Sequence, residues 1–342
     1  MQYLPKSDDI SILYFARTIT NKVSRIHTTG MELRITNLSK RFGDQWILRD
    51  VEFSVRLGTV VCICGAAGSG KSTLLRLIAG KEKANGGTFT DLSSEDVYFS
   101  DPGNSRGLLS IFGASGERRS AGSVAFSHLD SSLKSPKNII LLDEPFAGMD
   151  RETRSRSVRT IREAAKLGKT VIFAAADFKH PCEAAENVIM LDRGTVMQAG
   201  TPQEVYENPV SASVAVLTGM INLIEARRLT SSNADIPEFH TINGGLRIFS
   251  QAVAKSRLGA INQNMLLGIR PEDVVIAMNA SFPEDNVIRA TVTDVRFDGE
   301  TSLVDLDAGG LSLTARVFKV VGLNIGDECM LGLPPHRVAV LN

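Results

Sequence analysis

Short apolar runs separated by polar turns are spread along the chain, and their lengths predict strands with a few helices between them. Val60–Cys64 is a continuous apolar run, which is typical of a parallel strand covered on both faces. Residues 71–80 then place leucine and isoleucine at helical spacing and stop at a glycine. The pattern therefore predicts a strand, a glycine-rich loop and a helix in succession.

Two more buried strands follow, at residues 138–142 and Thr170–Ala175, with a helical pattern over residues 151–167 between them. A strand, a helix and a second strand in this order predict a right-handed parallel crossover and an α/β sheet. A hairpin that turns at Arg193 and Gly194 comes next, and Thr201 is placed to cap a short helix after it.

The pattern changes near residue 220. Short alternating strands, such as residues 287–297 and 302–307, are broken there by Gly, Asp and Asn, which predicts a small all-β barrel. We therefore expect three regions: residues 1–30 as a disordered extension or start-site artefact, residues 31–219 as an α/β domain, and residues 220–342 as a barrel domain.

Composition narrows the function classes. The 342 residues contain 38 Lys and Arg against 38 Asp and Glu, so the chain has no net positive charge that would attract nucleic acid. The cysteines, at positions 62, 64, 182 and 329, have neither zinc-site nor disulfide-framework spacing. The longest apolar runs are strand-length, well below the roughly 20 residues of a membrane span. We expect a reduced, cytoplasmic protein that is soluble or peripheral to a membrane.

The clearest motif is a phosphate-binding loop between the first buried strand and its helix. It reads Gly65, Ala66, Ala67, Gly68, Ser69, Gly70, Lys71, Ser72 and Thr73, and matches G-x-x-x-x-G-K-[ST]. Glycines let backbone N–H groups and the helix N-terminus point at phosphate oxygens. Lys71 would reach the outer phosphates and Ser72 would offer its hydroxyl to Mg²⁺.

Two carboxylates follow the strand at residues 138–142. Asp143 and Glu144 are expected at the carboxyl edge of the sheet, the same edge as the phosphate loop. Asp143 is then positioned to hold Mg²⁺ through water, and Glu144 to orient or deprotonate an attacking water.

With these motifs in this order, residues 31 to about 213 resemble the ATP-binding subunit of an ABC (ATP-binding cassette) transporter. The fold that this implies is a P-loop NTPase domain followed by a small all-β, OB-like barrel. Residues 268–273 resemble the opening motif of the transport-associated OB (TOBE) domain found in importer subunits for sugars, polyamines and ferric iron. The resemblance places Phe42 on the adenine; Trp46 is a competing aromatic, and we prefer Phe42 because it lies in the matching Lys-Arg-Phe-Gly context.

The resemblance also implies ATP and Mg²⁺ as cofactors and a homodimer or a related ATPase subunit as partner. It further implies integral membrane permease subunits, a location on the inner face of the cell membrane, and no nucleic acid. The sequence of such a subunit does not identify the solute, because the subunit does not contact it.

Three family motifs are degenerate. Ser100 stands where the family has a glutamine, and Ala176 stands where it has a switch histidine; His180 follows four residues later. The signature loop has two incomplete candidates, residues 120–123 and residues 115–118. Only 49 positions separate Lys71 from Ser120, so the helical subdomain that grips a permease is expected to be shortened.

These departures leave three functions open. The first is an ATPase that couples hydrolysis, at a low rate, to solute import. The second is a degenerate ATP-binding module that acts as a regulator or asymmetric partner. The third is a nucleic-acid binder that uses the terminal barrel, a region without clustered aromatic and basic residues.

Overall fold

The computed structural model describes residues 32–89, 96–100, 121–179, 183–229, 237–277, 286–318 and 322–341. The predicted N-terminal extension, residues 1–30, lies outside these ranges, as does His180. Within them, no helix is both long enough and apolar enough to span a membrane.

The first part of the chain contains nine strands and five helices in the described ranges. The strands are β1 (Glu32–Phe42), β2 (Gln45–Arg56), β3 (Val60–Cys64), β4 (Gly86–Phe89), β5 (Val97–Ser100), β6 (Ile139–Asp143), β7 (Thr170–Ala175), β8 (Asn187–Asp192) and β9 (Thr195–Gly200). The helices are α1 (Lys71–Ile78), α2 (Ala121–Leu133), α3 (Arg151–Lys166), α4 (Pro202–Glu207) and α5 (Ala212–Thr218).

The central sheet has six strands in the order β5-β6-β7-β3-β8-β9. All neighbours are parallel except β8 and β9, which form the predicted hairpin. One face packs against α2 and α3, and the other packs against α1 and a three-stranded sheet ordered β2-β1-β4. Burial on both faces explains why β3, β6 and β7 have no polar alternation. The predicted α/β sheet is confirmed.

Local capping follows the sequence prediction closely. Arg193 and Gly194 both have positive φ, 45° and 83°, as a tight two-residue hairpin requires. Thr201 Oγ1 accepts from the Glu204 amide at 3.2 Å, and Glu204 Oε2 accepts from the Thr201 amide at 2.9 Å. This reciprocal capping box begins α4 where the sequence predicts it. β2 begins at Gln45 and pairs with β1 through register shifts, and the Asp50 amide donates to Ser39 Oγ at 2.9 Å within this irregular stretch.

The C-terminal part is all-β. Its strands are β10 (Asn222–Arg227), β11 (Glu238–Thr241), β12 (Arg247–Phe249), β13 (Asn264–Ile269), β14 (Val275–Ala277), β15 (Asn286–Asp298), β16 (Thr301–Ala308), β17 (Leu311–Val317), β18 (Glu328–Leu333) and β19 (Ala339–Leu341). They form two five-stranded antiparallel sheets, β12-β11-β10-β13-β19 and β14-β18-β15-β16-β17. The inward side chains of both sheets share one hydrophobic core, as the alternating pattern predicts.

Candidate nucleotide site

The phosphate loop leaves the carboxyl end of β3 and enters α1. Gly65 to Gly70 form the loop, and Lys71, Ser72 and Thr73 occupy the first turn of the helix. Gly68 and Gly70 have φ of 80° and 105°, a region that side chains disfavour. A Cβ at Gly65 would overlap the Leu191 carbonyl. The glycines are therefore required by backbone shape and close approach.

Lys71 is almost fully buried beneath the loop, with 5% of its surface exposed. Its Nζ donates to the carbonyls of Gly65 and Ala66, at 2.7 and 3.0 Å. It also lies 3.9 Å from Glu144 Oε1. One ammonium group thus links the loop to the acidic end of β6.

Asp143 ends β6 and is 7% exposed. Within the described part of the chain, its Oδ1 and the Ser69 hydroxyl are buried without a hydrogen-bond partner. Unpaired buried oxygens are costly unless a ligand or cation meets them. Carboxylate and hydroxyl oxygens also suit Mg²⁺, which usually takes few protein ligands and completes its shell with phosphate and water. In the described ranges, no group of three or more His, Cys, Asp or Glu is placed to hold a metal ion.

Glu144 follows Asp143 and turns its side chain to the same edge. Its Oε2 accepts a hydrogen bond from the Ala176 amide at 3.3 Å. Burial raises the pKa of the Glu144 carboxyl, against the opposing effect of the Lys71 ammonium. A carboxyl held at a raised pKa beside a phosphate loop is suited to accept a proton from water.

Both aromatic candidates for the base lie on the β1–β2 hairpin. Phe42 is 48% exposed and Trp46 is 42% exposed. Lys40 Nζ lies 4.6 Å from the Phe42 ring centroid, and Arg41 lies 5.8 Å from the Trp46 ring. Each ring therefore carries a cation on one side and retains accessible surface that can stack on adenine.

One contribution to the site was missed at the sequence level: the β8–β9 turn supports the phosphate loop from behind. The Gly194 amide donates to the Ser69 carbonyl at 3.0 Å, and its own carbonyl accepts from the Arg49 amide at 2.8 Å. A Cβ at Gly194 would overlap the Ile47 carbonyl. The glycine of the hairpin turn is the signal that the sequence offers, and by itself it indicates only a turn.

The positions that depart from the family pattern have definite surroundings. Ser100 ends β5, and its hydroxyl lies 3.3 Å from His128 Nδ1 on α2. Ala176 offers Glu144 its backbone amide but no side-chain donor. Of the signature candidates, residues 115–118 and Ser120 lie outside the described ranges. Gly122 is buried at the start of α2, and a Cβ added there would come within 3.6 Å of Gly148, Met149 and Asp150.

Comparison with known proteins gives concordant matches in both parts of the chain. Residues 48–107 match the family described as ABC transporter, and residues 267–341 match the TOBE domain. The chain is 30% identical over 255 residues to "Sulfate/thiosulfate import ATP-binding protein CysA 2" of Rhizobium meliloti, covering 60% of this chain and 69% of that one.

Two further relatives extend over most of the length. The protein of the same name from Chromobacterium violaceum is 27% identical, covering 82% of this chain and 85% of the relative. "Fe(3+) ions import ATP-binding protein FbpC" of Streptomyces coelicolor is 29% identical, covering 86% and 94%. The order of loop, acidic strand end and C-terminal sheets is thus accompanied by similarity over most of the chain, and the protein belongs to the ABC transporter family, as an ATP-binding protein with a C-terminal TOBE domain.

Proposed function

We propose that this protein is the ATP-binding subunit of an importer and that it couples ATP binding and hydrolysis to solute uptake through separate membrane permease subunits. The observation that carries the proposal is the convergence of Lys71, Asp143 and Glu144 on the phosphate loop, with Lys71 Nζ 3.9 Å from Glu144 Oε1. The relatives named for sulfate, thiosulfate and ferric iron import support the transport role.

The site residues take the following roles in the proposal. The loop from Gly65 to Thr73 binds the phosphates, and Phe42 stacks on the base. Ser72 and Asp143 hold Mg²⁺, and Glu144 aligns or deprotonates water. The metal, when bound, neutralises charge on the outer phosphates.

The partners are part of the same proposal. Two ATP-binding chains close head to tail around the nucleotide, and the permease subunits hold them at the inner face of the cell membrane. The TOBE-matching region carries contacts between the two chains or regulates them. The described ranges between α1 and α2 hold only two short strands, β4 and β5, so a reduced docking surface for the permease remains our expectation.

The nucleotide assignment is tested by calorimetry with Mg·ATP on the wild type and on Lys71→Ala. We expect clear binding in the wild type and at least a tenfold loss in the variant, because the Lys71 ammonium is buried against the loop carbonyls of Gly65 and Ala66 and would supply positive charge to the phosphates. Equal affinities, or no binding to the wild type, would remove the nucleotide function.

The ATPase assignment is tested separately with Glu144→Gln. The amide keeps the shape of the side chain but cannot accept the proton, so we expect a weak wild-type rate to fall about 100-fold or more while ATP affinity is retained. A second candidate function, a binding module without turnover, is favoured by the missing side-chain donor at Ala176. It would be supported by ATP binding with no hydrolysis in either protein.

A further inference from the structure

A cavity of about 620 Å³ lies between the loop that follows β7, the helix α4, and the first turns of the C-terminal part. Its apolar lining includes Phe178, Pro202, Tyr206 and Met220, and its basic side chains are Lys179 and Arg316. The volume falls within the range of small-molecule sites, and a mostly apolar wall with a few placed charges is their usual composition. None of the nucleotide-site residues lines it.

The walls of this cavity are held in place. Phe178 is 5% exposed and stacks on Tyr206, with ring centroids 6.4 Å apart and planes 15° from parallel. The Tyr206 hydroxyl also donates a hydrogen bond to Glu272, and the Arg270 guanidinium lies 4.1 Å from the centroid of the Tyr206 ring. A cavity with fixed walls costs little to order when a ligand enters.

Charge in the cavity favours an anion. Among the described lining residues, Lys179 and Arg316 contribute two positive charges and Glu272 one negative charge, and the Glu272 carboxylate accepts a hydrogen bond from the Tyr206 hydroxyl. Arg316 uses its NH1 group on Asp298 and Thr301, and a guanidinium carries five N–H donors in all. Its fork therefore has the capacity to hold a carboxylate or sulfonate as well.

We propose that this cavity binds a small amphipathic organic anion, with an aromatic or branched apolar body against Phe178, Tyr206 and Met220 and its acidic group toward Lys179 and Arg316. This site is distinct from the nucleotide site and goes beyond the proposed transport function.

The loop that carries Phe178 also touches the nucleotide site. The Ala176 amide bonds to Glu144, and the Asp177 carbonyl accepts from the Cys64 thiol at 3.4 Å. Cys64 immediately precedes the phosphate loop. A ligand that shifts or stiffens residues 176–179 therefore acts on both the general base and the phosphate loop. Because such coupling is reciprocal, ATP must change the affinity for the anion by the same factor.

The binding test uses 8-anilinonaphthalene-1-sulfonate, an aromatic sulfonate that fluoresces in apolar surroundings, titrated into the full chain. We expect saturable binding of one molecule, weakened at least tenfold by Met220→Glu, which places a like charge beside the probe. Met220 is 48% exposed, so the substitution leaves the core intact. The matched control is Met197→Glu, at a 37% exposed methionine on β9, which should leave binding unchanged. Equal effects of the two substitutions would overturn the site.

The charge assignment has its own control. N-phenyl-1-naphthylamine has the same rings without the sulfonate, so it should bind at least tenfold more weakly and ignore Lys179→Gln. The sulfonate probe should lose affinity in Lys179→Gln but not in Lys134→Gln, a lysine on the surface beyond α2. Equal binding of the charged and uncharged probes would refute recognition of an anion.

Coupling is measured by ATP calorimetry with and without saturating probe. We expect a change of at least about fivefold in ATP affinity, at the lower end of typical allosteric coupling. Lys71→Ala should keep the probe site while losing ATP, so failure of the nucleotide assignment is distinguishable from failure of this one. Displacement of the probe by ATP in strict one-for-one competition, without a limit at high ATP, would place the probe in the nucleotide site and overturn the inference.

Discussion

Glu144 is positioned by its backbone as much as by its side chain. Its φ is 48°, a conformation that costs a residue other than glycine about 1–2 kcal/mol. The Glu144 amide donates to the Ala174 carbonyl at 3.1 Å, and its carboxylate accepts from the Ala176 amide. These contacts with β7 and its following loop over-determine the strained backbone, and they direct the carboxylate at Lys71.

The raised pKa of Glu144 predicts how hydrolysis depends on pH. Burial favours the protonated carboxyl, so the fraction of active carboxylate falls as pH is lowered through a pKa above the ordinary 4.5. We expect the single-turnover ATPase rate to drop on acidification at a higher pH than an exposed glutamate would give. The residual rate of Glu144→Gln should lack this fall in rate on acidification, the acid limb of the pH profile. An identical acid limb in that variant would assign the titration to another group.

A histidine at position 176 would restore the side-chain hydrogen-bond donor that Ala176 lacks. Its amide already lies 3.3 Å from Glu144 Oε2, so Ala176→His places an imidazole at the edge of the site. If two chains still close around ATP, restoring one aligned donor should raise the steady-state ATPase rate by about 100-fold. Asp177→His, one residue along the loop, is the control and should give no gain. No activity in wild type or Ala176→His, with ATP still bound, would contradict this prediction and favour the binding module.

At the scale of elements, the turn after β13 holds α4, α5 and the residues just before β10 together. Arg270 begins this turn, is 5% exposed, and donates to four backbone carbonyls and one hydroxyl. The acceptors are the carbonyls of Tyr206, Ala215, Gly219 and Met220 and the hydroxyl of Thr218, at 2.6 to 3.2 Å. Burial lowers the pKa of the guanidinium, but an arginine remains charged at any physiological pH.

We expect replacement of the Arg270 guanidinium to cause a large loss of stability. Arg270→Lys keeps the charge but provides one point donor instead of a planar fork, so several buried acceptors lose their partners at about 1–3 kcal/mol each. We expect the free energy of unfolding, from chemical denaturation, to fall by about 3 kcal/mol or more. Arg289→Lys, at an exposed position on β15, is the control and should change it by less than about 0.5 kcal/mol. Similar losses of unfolding free energy in the two variants would show that the Arg270 guanidinium does not hold these elements together.

At the scale of the whole molecule, the chain builds separate cores. The six-stranded sheet has a core on each face, and the two C-terminal sheets share another. A small cluster formed by Ala215, Ala339 and Leu341 joins α5 to β19. Helix α5, which ends just before the proposed junction of residues 219 and 220, is thus packed on the C-terminal strands.

Limited proteolysis tests the proposed division into residues 31–219 and 220–342. We expect cleavage between Asn208 and Ser232 and a stable C-terminal fragment, with the persistent fragment starting before α5 because that helix packs on β19. Mass spectrometry of the fragments gives the cut site. Degradation at this junction no faster than elsewhere would contradict the division, and a stable fragment that lacks α5 would contradict the assignment of α5 to the C-terminal core.

Features that depend on residues close in the chain were predictable from the sequence. The phosphate loop, the apolar strands beside it, the Arg193–Gly194 turn and the Thr201 capping box are each encoded within about ten residues, where backbone preference and periodicity act directly. Asp143 and Glu144 were predictable for a related reason, since the carboxyl ends of parallel strands share one edge of a sheet. The sequence by itself therefore determined the fold class and which residues lie together at the candidate nucleotide site.

Only the tertiary structure decided which distant residues meet. Support of Ser69 by Gly194, the amide of Ala176 on Glu144, and the tie from Arg270 to α5 each join residues more than 30 positions apart. No local pattern specifies such pairs, because they arise from how sheets and helices pack. The cavity beside Phe178 has the same origin: its described walls come from five separate stretches of chain, and its apolar and basic character exists only once they are brought together.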